Sequence, residues 1–179
     1  AIVRQFVDRG IGTGATVVAS FSGSFPGLNL AVMAACRAMD LRLVAVSSVT
    51  ASTWGANEPG FTWPEMEVIV VHAGVLPAAS AAISIGGTRD AGRDLSDEGR
   101  EIARRIQRET ASALGARVLD ATTLERAITL RQEVYEAALG GRAPAVYVNV
   151  GGNHASLGGA RAPFRREEGW LDPVQPESA

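Results

Sequence analysis

The sequence predicts an α/β domain of three layers, a mostly parallel sheet with helices on both faces. Three observations predict it. Short valine-rich apolar runs alternate with longer helical stretches. The runs are followed by loops of small residues. Several helical stretches open on a capping residue and close on glycine.

The elements follow in order. AIVRQFVDRG (1–10) reads as the end of a helix begun earlier, so the chain is expected to be part of a longer protein. Thr16 to Ser20 (TVVAS) is a buried strand, 21–29 a loop, and Leu28 to Met39 an alanine-rich helix packed closely on the sheet. Leu41 to Val46 is the next strand, completing a βαβ unit, which is almost always right-handed. After a long loop (47–60), Thr62 caps a helix with Pro64 just inside it, running to about His72. Ala82 to Ile85 is a third strand, ending at Gly86-Gly87. Ser96 caps a helix to Leu114, with Ile102, Ile106, Thr110 and Ala113 on one face, Asp97 and Glu98 in the first turn, and Gly115 as its stop. Val118-Leu119 is a brief strand. Thr122 and Glu125 have capping-box spacing for a helix ending near Leu139, before Gly140-Gly141. Ala145 to Val150 is the last strand. Residues 1–159 thus form one domain, and 160–179 a polar, poorly ordered tail.

Composition narrows the chemistry. Among 179 residues, the 17 positive ones are all arginine, so a lysine nucleophile, a Schiff base and a P-loop lysine are excluded. A net charge of −2 gives no basic field for nucleic acid. The single cysteine, Cys36, lies in a small-residue run and reads as core. No stretch approaches the roughly 18 apolar residues of a membrane span.

Four loops should share the carboxyl edge of the sheet, where open parallel sheets bind ligands: 20–29, 47–60, 84–93 and 149–159. They are rich in Ser, Thr, Gly and Asn, which offer hydroxyls and backbone amides. The first runs into a helix whose amino end favours an anion. The candidate ligand-binding residues are Ser20, Ser22, Gly23, Ser24, Asn29, Thr53, Trp54, Asn57, Arg89, Arg93, Gly151, Gly152, Asn153 and Ser156. Arg89 and Arg93 would add guanidinium contacts. Ser22, Asp90 and His154 are the candidate catalytic set.

Each has a plainer reading: Ser22 and Ser24 as turn or cap residues, Trp54 and Trp63 as packing anchors, His72 as structural. Arg100, Arg104, Arg105 and Arg108 read as a solvated face with Glu101 and Glu109. No His, Cys or carboxylate set has metal-ligand spacing. SFSGS is not a G-x-S-x-G nucleophile elbow, and GGTRDAGR is not a dinucleotide fingerprint, so no cofactor is identified.

The segments FSGSFPGLNLAVMAA (21–35), SSVTASTWGANEPGFTWPEME (47–67), GGTRDAGRDLSDEGRE (86–101) and NVGGNHASLG (149–158) together resemble the poly-gamma-glutamate system protein family. The resemblance covers roughly residues 1–159. It implies a process, the synthesis or export of poly-γ-glutamate, and no particular reaction. The implied partners are an anionic small molecule or polyglutamate and other components of that system, with membrane attachment through a segment absent from this chain. The implied role is an accessory, anion-binding one; the alternative is an enzyme of the same pathway (ligation, hydrolysis or isomerisation). VVASFSGSFPGLNLAVMAACRAMDLRLVAVSS (17–48) is also similar to the phosphosugar-binding core of sugar isomerase domains. Ser20, Ser22 and Gly23 match its S-x-S-G pattern, and Phe25 stands where that pattern has threonine. The fold is therefore expected to be Rossmann-like or sugar-isomerase-domain-like, and a phosphosugar-binding domain is a further alternative.

Overall fold

The computed structural model describes residues 1–52, 54–151 and 154–158. The predicted residues Thr53, Gly152 and Asn153, and the tail 160–179, lie outside them. Five parallel strands, β1 (Thr16–Phe21), β2 (Arg42–Ser48), β3 (Ser80–Ser84), β4 (Arg117–Leu119) and β5 (Val146–Val150), form one sheet in the order β4-β3-β2-β1-β5. Among the described residues five helices accompany it: α1 (Ile2–Asp8), α2 (Pro26–Ala38), α3 (Trp63–His72), α4 (Asp97–Leu114) and α5 (Leu124–Leu139). A single 3₁₀ turn, Thr88–Asp90, follows β3.

Side-chain alternation along each strand separates two faces. Val17, Ala19, Phe21 and Ala45 pack against Phe6 of α1, Val32, Met33 and Cys36 of α2, and Trp63 of α3. Ile83 and Ile85 continue that face onto Ala103, Ile106 and Ala111 of α4. Val46, Ala82 and Leu119 point the other way, onto Ala127, Leu130 and Val134 of α5. Four helices therefore cover one face and α5 the other, the expected three layers. Burial of each large apolar side chain contributes roughly 1.5–3 kcal/mol. Trp63 and Phe21, both fully buried, meet edge to face with centroids 5.7 Å apart. Cys36 is a buried free thiol, pushed up to about 11 by desolvation, and serves as core.

Several boundaries differ from the sequence reading. α2 starts at Pro26, two residues early, because proline's fixed φ suits a first helical position. β2 runs on to Ser48, and β3 begins at Ser80 and ends at Ser84. The cap of α5 is Thr123 rather than Thr122. Thr123 has the extended backbone, and its hydroxyl accepts from the Arg126 amide at 3.2 Å. The buried stripe of α4 is Ala103, Ile106, Gln107, Thr110 and Ala111, while Ala113 is exposed. That rotation turns Gln107 inward, where its amide donates to the Ile83 and Leu119 carbonyls (2.8 and 2.9 Å) and ties β3 to β4.

Candidate functional site at the strand ends

Strands β1 to β4 step across the sheet in one direction, and β5 returns to the other side of β1. The order therefore reverses between β1 and β5, and the crevice outside such a point is where open α/β sheets bind ligands. The loop leaving β1 sits there. The Ser22 amide donates to Val150 O of β5 (3.0 Å), and the Ser22 hydroxyl donates to Ser24 Oγ (3.1 Å). The Ser24 amide donates back to Ser22 Oγ (3.2 Å), and Ser24 Oγ accepts from the Ser52 amide (2.9 Å). Gly23 O accepts from the Ala56 amide (2.9 Å). Asn57 braces the second loop, accepting from the Ala51 amide (3.2 Å) and donating to Ser52 O (2.6 Å).

Two glycines allow this interlock. A Cβ on Gly55 would sit 2.6 Å from Ser24 Cα, and one on Gly151 would sit 2.6 Å from Ser22 Cβ. Gly151 also has φ +102, in the region that favours glycine. The loop then enters α2. Asn29, fully buried, holds the entry by donating to Ser22 O (2.9 Å). The Gly23 and Gly27 amides have no hydrogen-bond partner among the described residues, the first in the loop before the Phe25 cap and the second in the first turn of the helix.

A second polar group lies beneath the same edge on the α5 face. Arg131, 2% exposed, rises from α5 to the ends of three strands. Its Nη1 donates to Ser20 Oγ (3.2 Å) and its Nη2 to Ser84 Oγ (2.8 Å) and Ser48 Oγ (3.4 Å). Its Nη2 and Nε also grip Asp90 Oδ2 at 3.0 and 3.3 Å. The Ser84 hydroxyl completes the hold with a 2.9 Å bond to Asp90 Oδ1. A buried arginine needs this paired and hydrogen-bonded surround. Beside it Tyr135 donates to Ala19 O (2.7 Å) and meets Tyr147 edge to face at 6.0 Å. Desolvation raises both phenols above their ordinary range, so they stay neutral donors.

The predicted residues divide between these groups and the rim. Ser22, Gly23, Ser24, Asn29, Asn57 and Gly151 meet in the β1–β2–β5 loops, and Ser20 and Asp90 in the Arg131 group. Arg89 and Arg93 are exposed on the β3 side, two strands from β1. Arg93 donates to Thr122 O (3.3 Å) at the entry to α5. Arg89 lies near Glu125. That carboxyl is held below its ordinary range by its own amide, then by the Thr123 hydroxyl, with the Arg89 charge adding. Ser22, Asp90 and His154 do not form a relay: Ser22 donates to Ser24, Asp90 is gripped by Arg131, and His154 is exposed. Ser156 O accepts from the Tyr147 hydroxyl (2.7 Å). Trp54 is 95% exposed, so it is no packing anchor, whereas Trp63 is.

Sequence reasoning missed Arg131. The signal is present, because Ala127, Leu130, Arg131 and Val134 share the i, i+3, i+4, i+7 stripe that buries α5. A charge on that stripe has to be neutralised from the sheet. Glu67 follows the same rule on α3, one turn after Trp63. It accepts from the Ala79 and Ser80 amides (2.8 and 2.9 Å) and from Ser80 Oγ (2.5 Å). Among the described residues no cluster of His, Cys, Asp and Glu is arranged to hold a metal, and no helix is long and apolar enough to cross a membrane. Comparison with protein-family models, curated proteins and solved structures gives no match to this chain.

Proposed function

We propose that this protein is an accessory component of poly-γ-glutamate biosynthesis or export that binds the anionic polymer, or its glutamate unit, at the strand-end loops. One observation carries the reading. The β1 loop lies at the point where strand order reverses, locked between the β2 loop and β5, with the Gly23 and Gly27 amides at the entry to α2 having no partner among the described residues. Backbone donors at a helix amino end, fixed by their neighbours, suit a carboxylate or phosphate. The resemblance of segments 21–35, 47–67, 86–101 and 149–158 to the poly-gamma-glutamate system family supplies the ligand, since a γ-linked chain offers one carboxylate per residue. A shared anion cradle also fits a phosphosugar; the test separates the two.

Calorimetric titration with γ-glutamyl oligomers, glucose 6-phosphate and inorganic phosphate, at two salt concentrations, decides it. The expected result is oligomer binding that weakens as salt rises, because an exposed anion site is screened. Binding of the sugar phosphate alone would assign the phosphosugar reading instead. No anion bound at either salt would discard the cradle.

A further inference from the structure

We infer that the outer edge of β5 is a self-pairing interface, occupied by β5 of a second copy of this chain, antiparallel about a two-fold axis through Val148. The inference stands apart from the function proposed above.

The two edges of the sheet are built differently. Among the described residues, β4 and β5 each have one neighbouring strand. β4 is three residues long, and its Arg117 is tied to Glu133 of α5 at 3.1 Å. Shortness and charge both protect an open edge from pairing. β5 has neither protection. Its five residues, Val146 to Val150, include no charge, proline or glycine, and valine and tyrosine favour strands. It pairs with β1 in unbroken register from Val17–Val146 to Phe21–Val150, so no bulge turns the edge away. Tyr147 is 41% exposed there.

Backbone direction fixes what the edge offers. Along a strand, the N–H and C=O of successive residues point to alternate sides. The Ser22 amide donates to Val150 O, so Val150, and with it Val148 and Val146, turns toward β1. Tyr147 and Asn149 therefore turn their amides and carbonyls outward.

These groups fit their own mates. Isologous pairing sets a strand against its own reverse, where a charged residue would come close to its like-charged copy. β5 carries none. An axis through Val148 puts Tyr147 opposite Asn149 of the second copy, and Asn149 opposite Tyr147 of the second copy. Every outward amide and carbonyl of the two residues then finds a partner. On the α2 face Val148 meets its own mate, and Val146 meets Val150 of the second copy. The axis stands perpendicular to the sheet, so α1 of both copies lies on the same face of the joined strands. α1 shares an apolar cluster with Val146 and Val148, and it leaves Val3 and Val7, one turn apart, 41% and 59% exposed. The chain's own segment 160–179 suits the edge poorly, since it contains Pro163, Pro173 and Pro176 and the run Arg165-Arg166-Glu167-Glu168.

Sedimentation velocity of the whole chain across about a thousandfold dilution, with amide exchange at both ends of that range, tests this. The expected result is a dimer of twice 18.7 kDa that dissociates on dilution. In the dimer the Tyr147 and Asn149 amides should exchange at least about tenfold more slowly than in the dilute chain. The Val148 amide, turned toward β1, should be protected in both. Tyr147→Pro removes an outward donor and leaves the β1 ladder intact, a position where edge strands accept proline. It should weaken the dimer at least about tenfold, whereas Tyr147→Phe, which keeps the amide, should dimerise as wild type does. Exchange in wild type decides the matter if Tyr147→Pro does not fold. A dimer whose Tyr147 and Asn149 amides stay unprotected, or a folded Tyr147→Pro that dimerises as tightly as wild type, would overturn the inference. A monomer at every concentration would overturn it too. Protection of both amides in that monomer would assign the edge to a segment of the same chain, and rapid exchange would leave it open to a strand from another protein.

Discussion

Arg131 and Asp90, 41 residues apart, form an ion pair at 3.0 Å with side chains 3% and 1% exposed, directly under the carboxyl ends of β1, β2 and β3. Coulomb attraction in a dry interior offsets the desolvation of both charges only while both are present. Removal of one partner is therefore worse than removal of both. Arg131→Met should cost roughly 3–5 kcal/mol, and Arg131→Met with Asp90→Asn should recover a large part of that loss. Urea denaturation of the two single variants and the double measures it. A double variant as unstable as the sum of the singles would show that the pair is uncoupled.

Gly151 links the fold to the cradle. A methyl group there would press on Ser22 Cβ from 2.6 Å, in a backbone conformation that alanine resists. Gly151→Ala should destabilise the domain by roughly 1–3 kcal/mol. It should also weaken γ-glutamyl oligomer binding, because Ser22 has to shift and Ser24 with it. Stability is read from thermal unfolding, and affinity from titration of the folded variant. Unchanged affinity in a folded variant would separate the β5 loop from the cradle.

The two described tryptophans should respond oppositely. Trp63 is fully buried against Phe21, and its Nε1 donates to Ser47 Oγ at 2.9 Å. Trp63→Ala should cost roughly 3–5 kcal/mol. Trp54 stands 95% exposed, and Trp54→Ala should stay within about 0.5 kcal/mol. Denaturant midpoints of the two variants check this, and a large loss for Trp54→Ala would mean the loop is anchored through it.

The fold was legible because its signals are local: valine runs, Thr62 and Ser96 as caps, Gly115 and Gly140 at helix ends. The parallel edge followed from the βαβ rule, and with it the meeting of Ser22, Ser24 and Asn57. What the sequence hid is long-range. Arg131 lies 111 residues from Ser20 and 83 from Ser48, so the apolar stripe of α5 marks it as buried but nothing near it in sequence shows which groups receive its charge. Attention to loops placed the guanidinium on Arg89 and Arg93, whereas a helix supplies the one at the centre. Spacing to Glu125 favours Thr122 as the cap, yet backbone geometry selects Thr123. Position on the apolar stripe was the better guide for charged residues, and Glu67 illustrates it as well as Arg131.

Glu67 gives the last prediction. It is fully buried, and desolvation raises its carboxyl above the ordinary glutamate value of 4.5, against the lowering effect of bonds from Ser80 and Ala79. Its folded state therefore holds the proton more tightly than its unfolded state. Such a group contributes stability that is fully present below about pH 4.5 and is lost as pH rises through the raised folded value. Exposed Glu125 and half-buried Glu133, both held low by their hydrogen bonds, act in the opposite sense, and their contribution is lost as pH falls. Glu67→Gln isolates the buried group. Its amide oxygen still accepts from the Ala79 and Ser80 amides, its NH₂ donates to Ser80 Oγ, and it cannot ionise. Relative to wild type, the variant should gain stability steadily as pH rises from about 4.5 toward neutrality. Unfolding free energies of both proteins from pH 4 to 8 measure the difference. A difference that stays flat across that range would mean Glu67 ionises in the folded protein as readily as in the unfolded chain, with its three donors balancing its burial.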